Sequence, residues 1–308
     1  MSRVGRVTAQ PTLTDGTVTL EPAAEPHTFV VLAGEELVGR VAVVPVEGRT
    51  GERVGELSWE LAETHRGRGY ATRAVRVLTD WSLAPVREDG LGLSRVEAHV
   101  PTDLEAALRV ATRAGLRREG VRRVVPGEES ATTGYVVLAR LATDPPLSEP
   151  GAFRSLLNSF LPRKRAIGQM LVRDGEGRVL LCQLTYKQDW DLPGGVVEVG
   201  ESPQLAVARE VEEELALHID AGALLLTDWL PPWGGWDDAL CLVFDGGTHD
   251  AAILESVVEQ PREIRSAEFC TVEQVRERCA DFTARRIESA LANVGRGGPA
   301  YVESGGVG

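Results

Sequence analysis

The sequence predicts a two-domain protein of α/β (α+β) class, and three observations predict it. Its 308 residues are long for one core and comfortable for two of about 150 residues each. The stretch ATDPPLSEP (142–150), rich in proline and acids, separates two patterned regions and reads as a seam. On both sides of it, β-patterned runs bounded by turn residues alternate with helical periodicity. The expected division is a first domain over 10–143, a linker over 144–160 and a second domain over 161–305.

In the first half, strands are expected at Thr17–Leu20, Thr28–Ala33, Leu37–Val46 and Gly55–Leu61, followed by a helix from Tyr70 to Ser82. A strand at Arg95–Val100, a helix at Asp103–Ala114 and strands at Leu116–Val125 and Gly134–Leu141 complete it. After the seam, FRSLLNSFLPRKR (153–165) reads as a short helix leading into the second domain. There, Ile167–Arg173 and Val179–Leu184 flank Asp174-Gly175-Glu176-Gly177, a hairpin turn signal. Strands at Val196–Glu198, Leu224–Trp229 and Leu240–Phe244 surround a helix over 203–216, and a last helix runs from Val272 to Leu291. The tail GRGGPAYVESGGVG is glycine-rich, with Tyr301 and Val302 as candidates for docking.

The net charge is −13, unevenly spread. Residues 1–150 carry 18 Arg against 21 Asp and Glu, a balance of −3; residues 151–308 carry 15 basic against 25 acidic residues, a balance of −10. A domain that acidic needs cations to hold a polyphosphate, and it lacks the basic footprint of a general nucleic-acid binder. Apart from Lys164 and Lys187 every basic residue is arginine. No apolar run reaches the roughly 18 residues of a membrane span, and MSRVGRVTAQ lacks the apolar centre of a secretory signal. A cytoplasmic protein without membrane partners is expected. Cys182, Cys241, Cys270 and Cys279 have no CxxC spacing and read as reduced thiols, Cys279 as the most exposed.

The run LPGGVVEVGESPQLAVAREVEEELAL (192–217) carries the chemistry. Ser202 can cap a helix and Pro203 suits its first position. Ala208, Val211 and Leu215 share one face with Leu205 at its margin, while Glu210, Glu213 and Glu214 fall within about 100° on another. Three carboxylates so placed repel one another. A divalent cation reverses that sign, and hard oxygen ligands suit Mg²⁺ or Mn²⁺, which grip pyrophosphate oxygens. Alone, EVEEEL reads as a solvated acidic helix face rather than a metal site. The wider spacing decides: Gly195, five residues, Glu201, seven residues, then Arg209-Glu210-Val211-Glu212-Glu213-Glu214 resembles the Nudix box nearly position for position. Trp190-Asp191-Leu192-Pro193-Gly194-Gly195 and Glu198 fit the run into it.

This resemblance implies an α/β/α sandwich whose box forms loop–helix–loop. It implies that Glu210, Glu213 and Glu214, with the Gly194 carbonyl, hold the metal, while Glu201 and Arg209 brace the loop and orient the carboxylates. The implied reaction is hydrolysis of a phosphoanhydride in a nucleoside diphosphate linked to another group, with one of the glutamates or a neighbour outside the box taking the proton from water. Ala216 stands where the family has glycine, at a cost of about 1 kcal/mol at most. The likeness extends over 163–305 through Arg163-Lys164-Arg165, Tyr186-Lys187, Asp228-Trp229, Phe244-Asp245-Gly246-Gly247 and Tyr301-Val302-Glu303. Pro232, fifteen positions after Leu217, has a spacing similar to that of Nudix enzymes acting on ADP-ribose. Trp229, Trp233 and Trp236 are open to two readings, stacking on a base or sugar and packing in core or loop.

In the first half, His65-Arg66-Gly67-Arg68-Gly69-Tyr70-Ala71-Thr72 joins a strand to a helix. Glycines let backbone N–H groups turn toward an anion, and a helix N-terminus adds positive potential. Arg66-x-x-Gly69-x-Ala71 resembles the acetyl-CoA pyrophosphate loop of the GNAT N-acetyltransferases. Glu56-Leu57-Ser58-Trp59, Leu108-Arg109-Val110-Ala111, Ala114-Gly115-Leu116 and Glu119-Gly120 fit that family over 15–142. The resemblance implies a mixed sheet with helices and an acetyl-CoA site at Arg66, Gly67, Arg68, Gly69, Tyr70 and Ala71. Glu56 is open to two readings, deprotonating an acceptor amine directly or through water, and an exposed strand carboxylate. Two departures bear on transfer: only Glu21–His27 separate the first two strands, where the family has two helices, and Leu104 and Ala107 replace an Asn and a Ser. The expected function is Mg²⁺-dependent hydrolysis of a small nucleotide derivative with a second, acetyl-CoA-dependent activity. The alternative is a metabolite sensor that binds both ligands without turnover. Nothing in the sequence indicates an oligomeric state.

Overall fold

The computed structural model describes residues 10–48, 51–124, 134–185 and 188–306. Two compact units divide the chain, 1–162 and 163–308. Among the described residues no helix is long and apolar enough to cross a membrane.

The first unit opens with an antiparallel run: β1 (Leu13–Thr14), β2 (Thr19–Pro22), β3 (Thr28–Ala33), β4 (Glu36–Glu47) and β5 (Arg53–Leu61). A turn with His27 at φ 52 links β2 to β3, so the region where two helices would shape an acceptor site is short here. Then come α1 (Tyr70–Leu83), β6 (Arg95–Pro101), α2 (Glu105–Arg113), β7 (Arg117–Arg123) and β8 (Gly134–Leu141), giving the strand order β1-β2-β3-β4-β5-β6-β8-β7. Ala74, Val75 and Leu78 of α1, spaced to share one face, join Phe29, Val41 and Val96 in one core. The parallel pair β5–β6 is bonded only at Val54–Glu56 against Arg95–Glu97. Beyond those residues β5 and β6 part, and the opening between them shapes the cleft described below.

Helix α3 (Pro150–Phe160) starts on Pro150, whose missing N–H costs nothing at a helix's first turn. It lies against β7, where Ser159 Oγ accepts from the Arg118 amide at 3.1 Å. The segment expected as a linker into the second domain thus supplies a packed helix to the first unit.

The second unit contains β9 (Arg165–Asp174), β10 (Val179–Leu184), β11 (Trp190–Asp191), β12 (Gly194–Val196), α4 (Pro203–Leu215), β13 (Leu224–Leu230) and β14 (Ala239–His249). It continues through β15 (Ile264–Cys270), α5 (Val272–Arg278), α6 (Asp281–Asn293) and β16 (Ala300–Glu303). The sheet runs β11-β10-β9-β14-β13-β16, with β12 on β9 and β15 on β10. Alternation along β9 builds the two faces. Met170 and Val172 pack with Val207, Val211 and Leu215 of α4, whereas Leu171 packs with Val275, Ile287 and Ala290 of α5 and α6. The architecture is the expected α/β/α sandwich.

Several expectations need correction. The last helix is broken at Cys279 and Ala280, both extended, because the Cys279 backbone bridges to Trp190. That bridge also buries Cys279, so all four cysteines are buried free thiols. Leu205 is 67% exposed, and Ala206 and Val207 take its place against the sheet. Strands β11 and β15 were not expected; IRSAEFC mixes polar and apolar positions and becomes a strand through its pairing with β10. The tail does dock, with Val302 buried and β16 parallel to β13. Val125, Tyr186, Lys187 and the first nine residues lie outside the described residues.

Candidate active site

In the second unit, β9 and β10 are bonded at their turn, Arg173 to Val179, and then separate; β11 folds back antiparallel on β10 and β12 lies antiparallel along β9. The loop from Leu192 to Ser202 occupies this opening and meets α4. Gly194 has φ 138, and a Cβ there would sit 2.1 Å from the Gly168 carbonyl oxygen. A Cβ on Gly195 would sit 2.5 Å from the Glu210 carboxyl carbon. Both glycines are required by close approach, and they bring the loop onto the carboxylates.

The acidic set is sorted by its partners. Arg209 grips Glu201 with two hydrogen bonds, Nε to Oε1 at 2.9 Å and Nη2 to Oε2 at 3.1 Å. Its Nη1 reaches Glu210 Oε1 at 3.0 Å and Glu213 Oε2 at 2.9 Å. Glu201 in turn accepts from the Glu198 amide, so one guanidinium ties the loop to the helix. The Arg209 hydrogen bonds hold Glu201 below the usual carboxylate range. Glu214 differs. It is buried, and Oε2 accepts from the Gly194 amide at 3.0 Å. Burial pushes its carboxyl up to about 8; the Gly194 bond opposes this, while Glu210, Glu263 and Asp191 add to it. Burial raises Glu210 as well.

Hard oxygen donors crowded around a buried carboxyl that lacks positive charge are the chemistry that a divalent cation satisfies. The residues therefore fit Mg²⁺ or Mn²⁺. Among the described residues no three acidic, His or Cys side chains already converge as a metal cage. The bond from Arg209 to Glu213 accounts for part of this, since Glu213 must exchange that partner to serve as a ligand.

Sequence reasoning missed what stands behind the loop. Asp191 Oδ1 accepts from the Leu192 amide at 3.0 Å and from Gln169 Nε2 at 2.7 Å. Gln169 Oε1 accepts from Arg286 Nη1 and from the Cys241 thiol, both at 3.1 Å. Arg286 donates to Asp228 at 2.8 Å, and the two side chains are 3% and 0% exposed. Burial opposes the charge on Arg286, but the carboxylates of Asp191 and Asp228 outweigh it and hold the guanidinium above its ordinary pKa. Burial pushes the Cys241 thiol up to about 11, so it is a neutral donor here. A glutamine within a strand gives no sequence signal of such a role.

In the first unit, Arg66, Gly67, Gly69 and Ala71 line a cleft of about 750 Å³ together with Trp59, Leu61 and the face of α2. Arg68 and Tyr70 are not in its lining, and Tyr70 packs against the core. Gly67 and Gly69 have φ 78 and 84, and Gly69 caps α1, whose opening amides have no partner four residues earlier. Arg66 donates to the Leu61 carbonyl and pairs with Glu63 at 3.4 Å. Leu104 and Ala107, the departures noted in the sequence, line the same cleft, as do Arg109 and Arg113. Glu56 lies outside that lining and pairs with His99 Nδ1 at 3.2 Å.

Residues 162–290 match the model of the NUDIX domain, and residues 8–117 match that of the acetyltransferase (GNAT) domain. A MutT-like protein from Streptomyces ambofaciens is 28% identical over 137 residues, which are 42% of this chain and 78% of that protein. An RNA pyrophosphohydrolase from Rhodospirillum rubrum is 33% identical over 98 residues, 32% of this chain and 51% of that protein. An uncharacterized N-acetyltransferase p20 from Bacillus licheniformis is 24% identical over 106 residues, 34% of this chain and 56% of that protein. The chain thus spans about half the length of the last two relatives. It carries a GNAT domain followed by a NUDIX domain.

Proposed function

We propose that the second unit hydrolyses a phosphoanhydride bond in a nucleoside diphosphate joined to another group, with Mg²⁺ or Mn²⁺. The observation that carries this reading is the buried Glu214 against the Gly194–Gly195 loop, beside the single arginine that spans Glu201, Glu210 and Glu213. The relatives named MutT-like protein and RNA pyrophosphohydrolase support it. Glu210, Glu213, Glu214 and the Gly194 carbonyl would hold the cation. When bound, a divalent cation polarises phosphoryl oxygens and offsets the charge that develops on the leaving phosphate. Glu201 fixes Arg209, and Arg209 sets the direction of Glu210 and Glu213. Glu213, whose side chain is 60% exposed, is the acceptor we assign to the proton of the attacking water. The test is a panel of nucleoside diphosphate derivatives with Mg²⁺, read by phosphate release after phosphatase treatment. Turnover of at least one member is expected; no turnover across the panel with either metal would remove the reading.

We also propose that the first unit binds acetyl-CoA for N-acetyl transfer, its pyrophosphate on the Gly67–Ala71 amides and its charge met by Arg66, which lines the cleft. The positive φ of Gly69 makes this binding sensitive to any side chain there. In calorimetry, Gly69→Val should abolish the heat of CoA binding while leaving phosphoanhydride hydrolysis intact. Absence of CoA binding in the unaltered chain would contradict the proposal. Four buried free thiols support a reducing, cytoplasmic location.

A further inference from the structure

The three tryptophans left open by the sequence separate in the structure. Trp229 lies in β13 and its indole is bonded to Asp238. Trp233 and Trp236 instead stand on the link between β13 and β14, 66% and 61% exposed. Each donates its amide to the other's carbonyl, at 3.1 and 2.9 Å, around Gly234 and Gly235 at φ 58 and 87. Two consecutive left-handed residues make a tight hairpin, and a directly bonded pair projects its side chains to one side. Exposed as they are, both rings are held. Phe282 meets Trp233 edge-on at 5.6 Å, and the Arg165 guanidinium lies 4.9 Å from the Trp236 ring centre. Arg165 is fixed by its own bond to the Asp237 carbonyl, while its buried Nε has no partner among the described residues.

The hairpin stands at the end of the sheet where the acidic loop passes. Arg165 opens β9; its neighbour Ala166 accepts from the Val197 amide, and Val197 leads within the same loop to Glu201. From Arg165 to Gly168, which pairs with Gly195 beside Glu210, is three residues of strand, about 10 Å. That is a span a single nucleotide bridges.

We propose that Trp233 and Trp236 form a stacking platform for the nucleobase of the diphosphate substrate, with Arg165 holding Trp236 in place. Flat π-faces accept any base, so the platform selects for nucleotides over other diphosphates without choosing among bases. This rests on the hydrolase reading above, since it places the diphosphate at the acidic loop.

The test compares two ligands on the full chain with Mg²⁺ by calorimetry: ADP, and methylenediphosphonate, which has the phosphorus chemistry without a base. ADP should bind more tightly, and Trp236→Ala should weaken ADP by about 5- to 150-fold, the range for loss of one stacked base. Methylenediphosphonate affinity should stay the same, and Trp236→Phe should restore most of the ADP affinity. Equal affinities of the two ligands, or equal losses in Trp236→Ala, would overturn the platform while leaving the hydrolase reading standing. If neither ligand binds, both fall. A dimer in sedimentation that Trp236→Ala dissociates, with ADP affinity unchanged, would also overturn it and assign the hairpin to a second copy of the chain.

Discussion

Ala216 ends α4 at φ 56 and ψ 26, the left-handed conformation in which a Cβ is penalised. Its position was legible because the box spacing reserves it for glycine, and the geometry supplies the reason. Ala216→Gly should stabilise the second unit by up to about 1 kcal/mol, seen as a higher urea midpoint with unchanged slope. Glu201, Arg209, Glu210 and Glu214 were legible too, since fixed intervals on a loop and helix determine which side chains meet. What the intervals could not reveal is that Glu214 is buried and uncompensated while Glu213 is taken up by Arg209. Those differences come from how deeply the helix sits against Gly194 and Gly195, which is a tertiary matter. Gln169 and Arg286 were illegible for the same reason, their partners lying 22 to 117 residues away along the chain.

Two elements show where local signals succeed and fail. The Asp174–Gly177 turn is written in its residues, and Asp174 closes it by accepting from the Glu176 and Arg178 amides and from Arg178 Nε at 2.6 Å. Burial alone would raise the Asp174 carboxyl, but the Arg178 side chain and the two amides outweigh it and hold it below its ordinary 3.8. A carboxyl depressed by folding stabilises the native state above its unfolded pKa and loses that contribution as pH falls through the folded one. Wild-type stability should therefore drop below about pH 4 more steeply than that of Asp174→Asn, as followed by melting from pH 5 to 2.5. By contrast, the docking of Tyr301 and Val302 was legible, but not that they form β16 on β13. Its docking depends on Asp228, whose Oδ1 accepts from the Gly305 amide while Oδ2 pairs with Arg286. Asp228→Asn removes the charge that compensates a buried guanidinium, so denaturant titration should show a loss of about 3–5 kcal/mol. A loss below 1 kcal/mol would mean that the network is not needed for the fold.

At the scale of the whole molecule, the seam was legible in its prolines, but the helix after it gave no sign of which unit it serves. Because α3 packs on β7, a fragment ending at Pro162 should melt cooperatively and at a higher temperature than one ending at Thr143. A fragment from Arg163 should fold separately, and aggregation of both fragments beside a stable full chain would count against two independent cores. We propose the acidic loop and helix of the second unit as a cation-dependent phosphoanhydride hydrolase. The most direct test is the Mg²⁺ dependence of hydrolysis in Glu214→Gln, a change that keeps shape and removes the charge the carboxylate would present to a bound cation. Turnover should fall by about two to three orders of magnitude at saturating Mg²⁺, by analogy with loss of one charge-stabilising group, with no decrease in melting temperature measured in EDTA. Near wild-type turnover in that variant would contradict it.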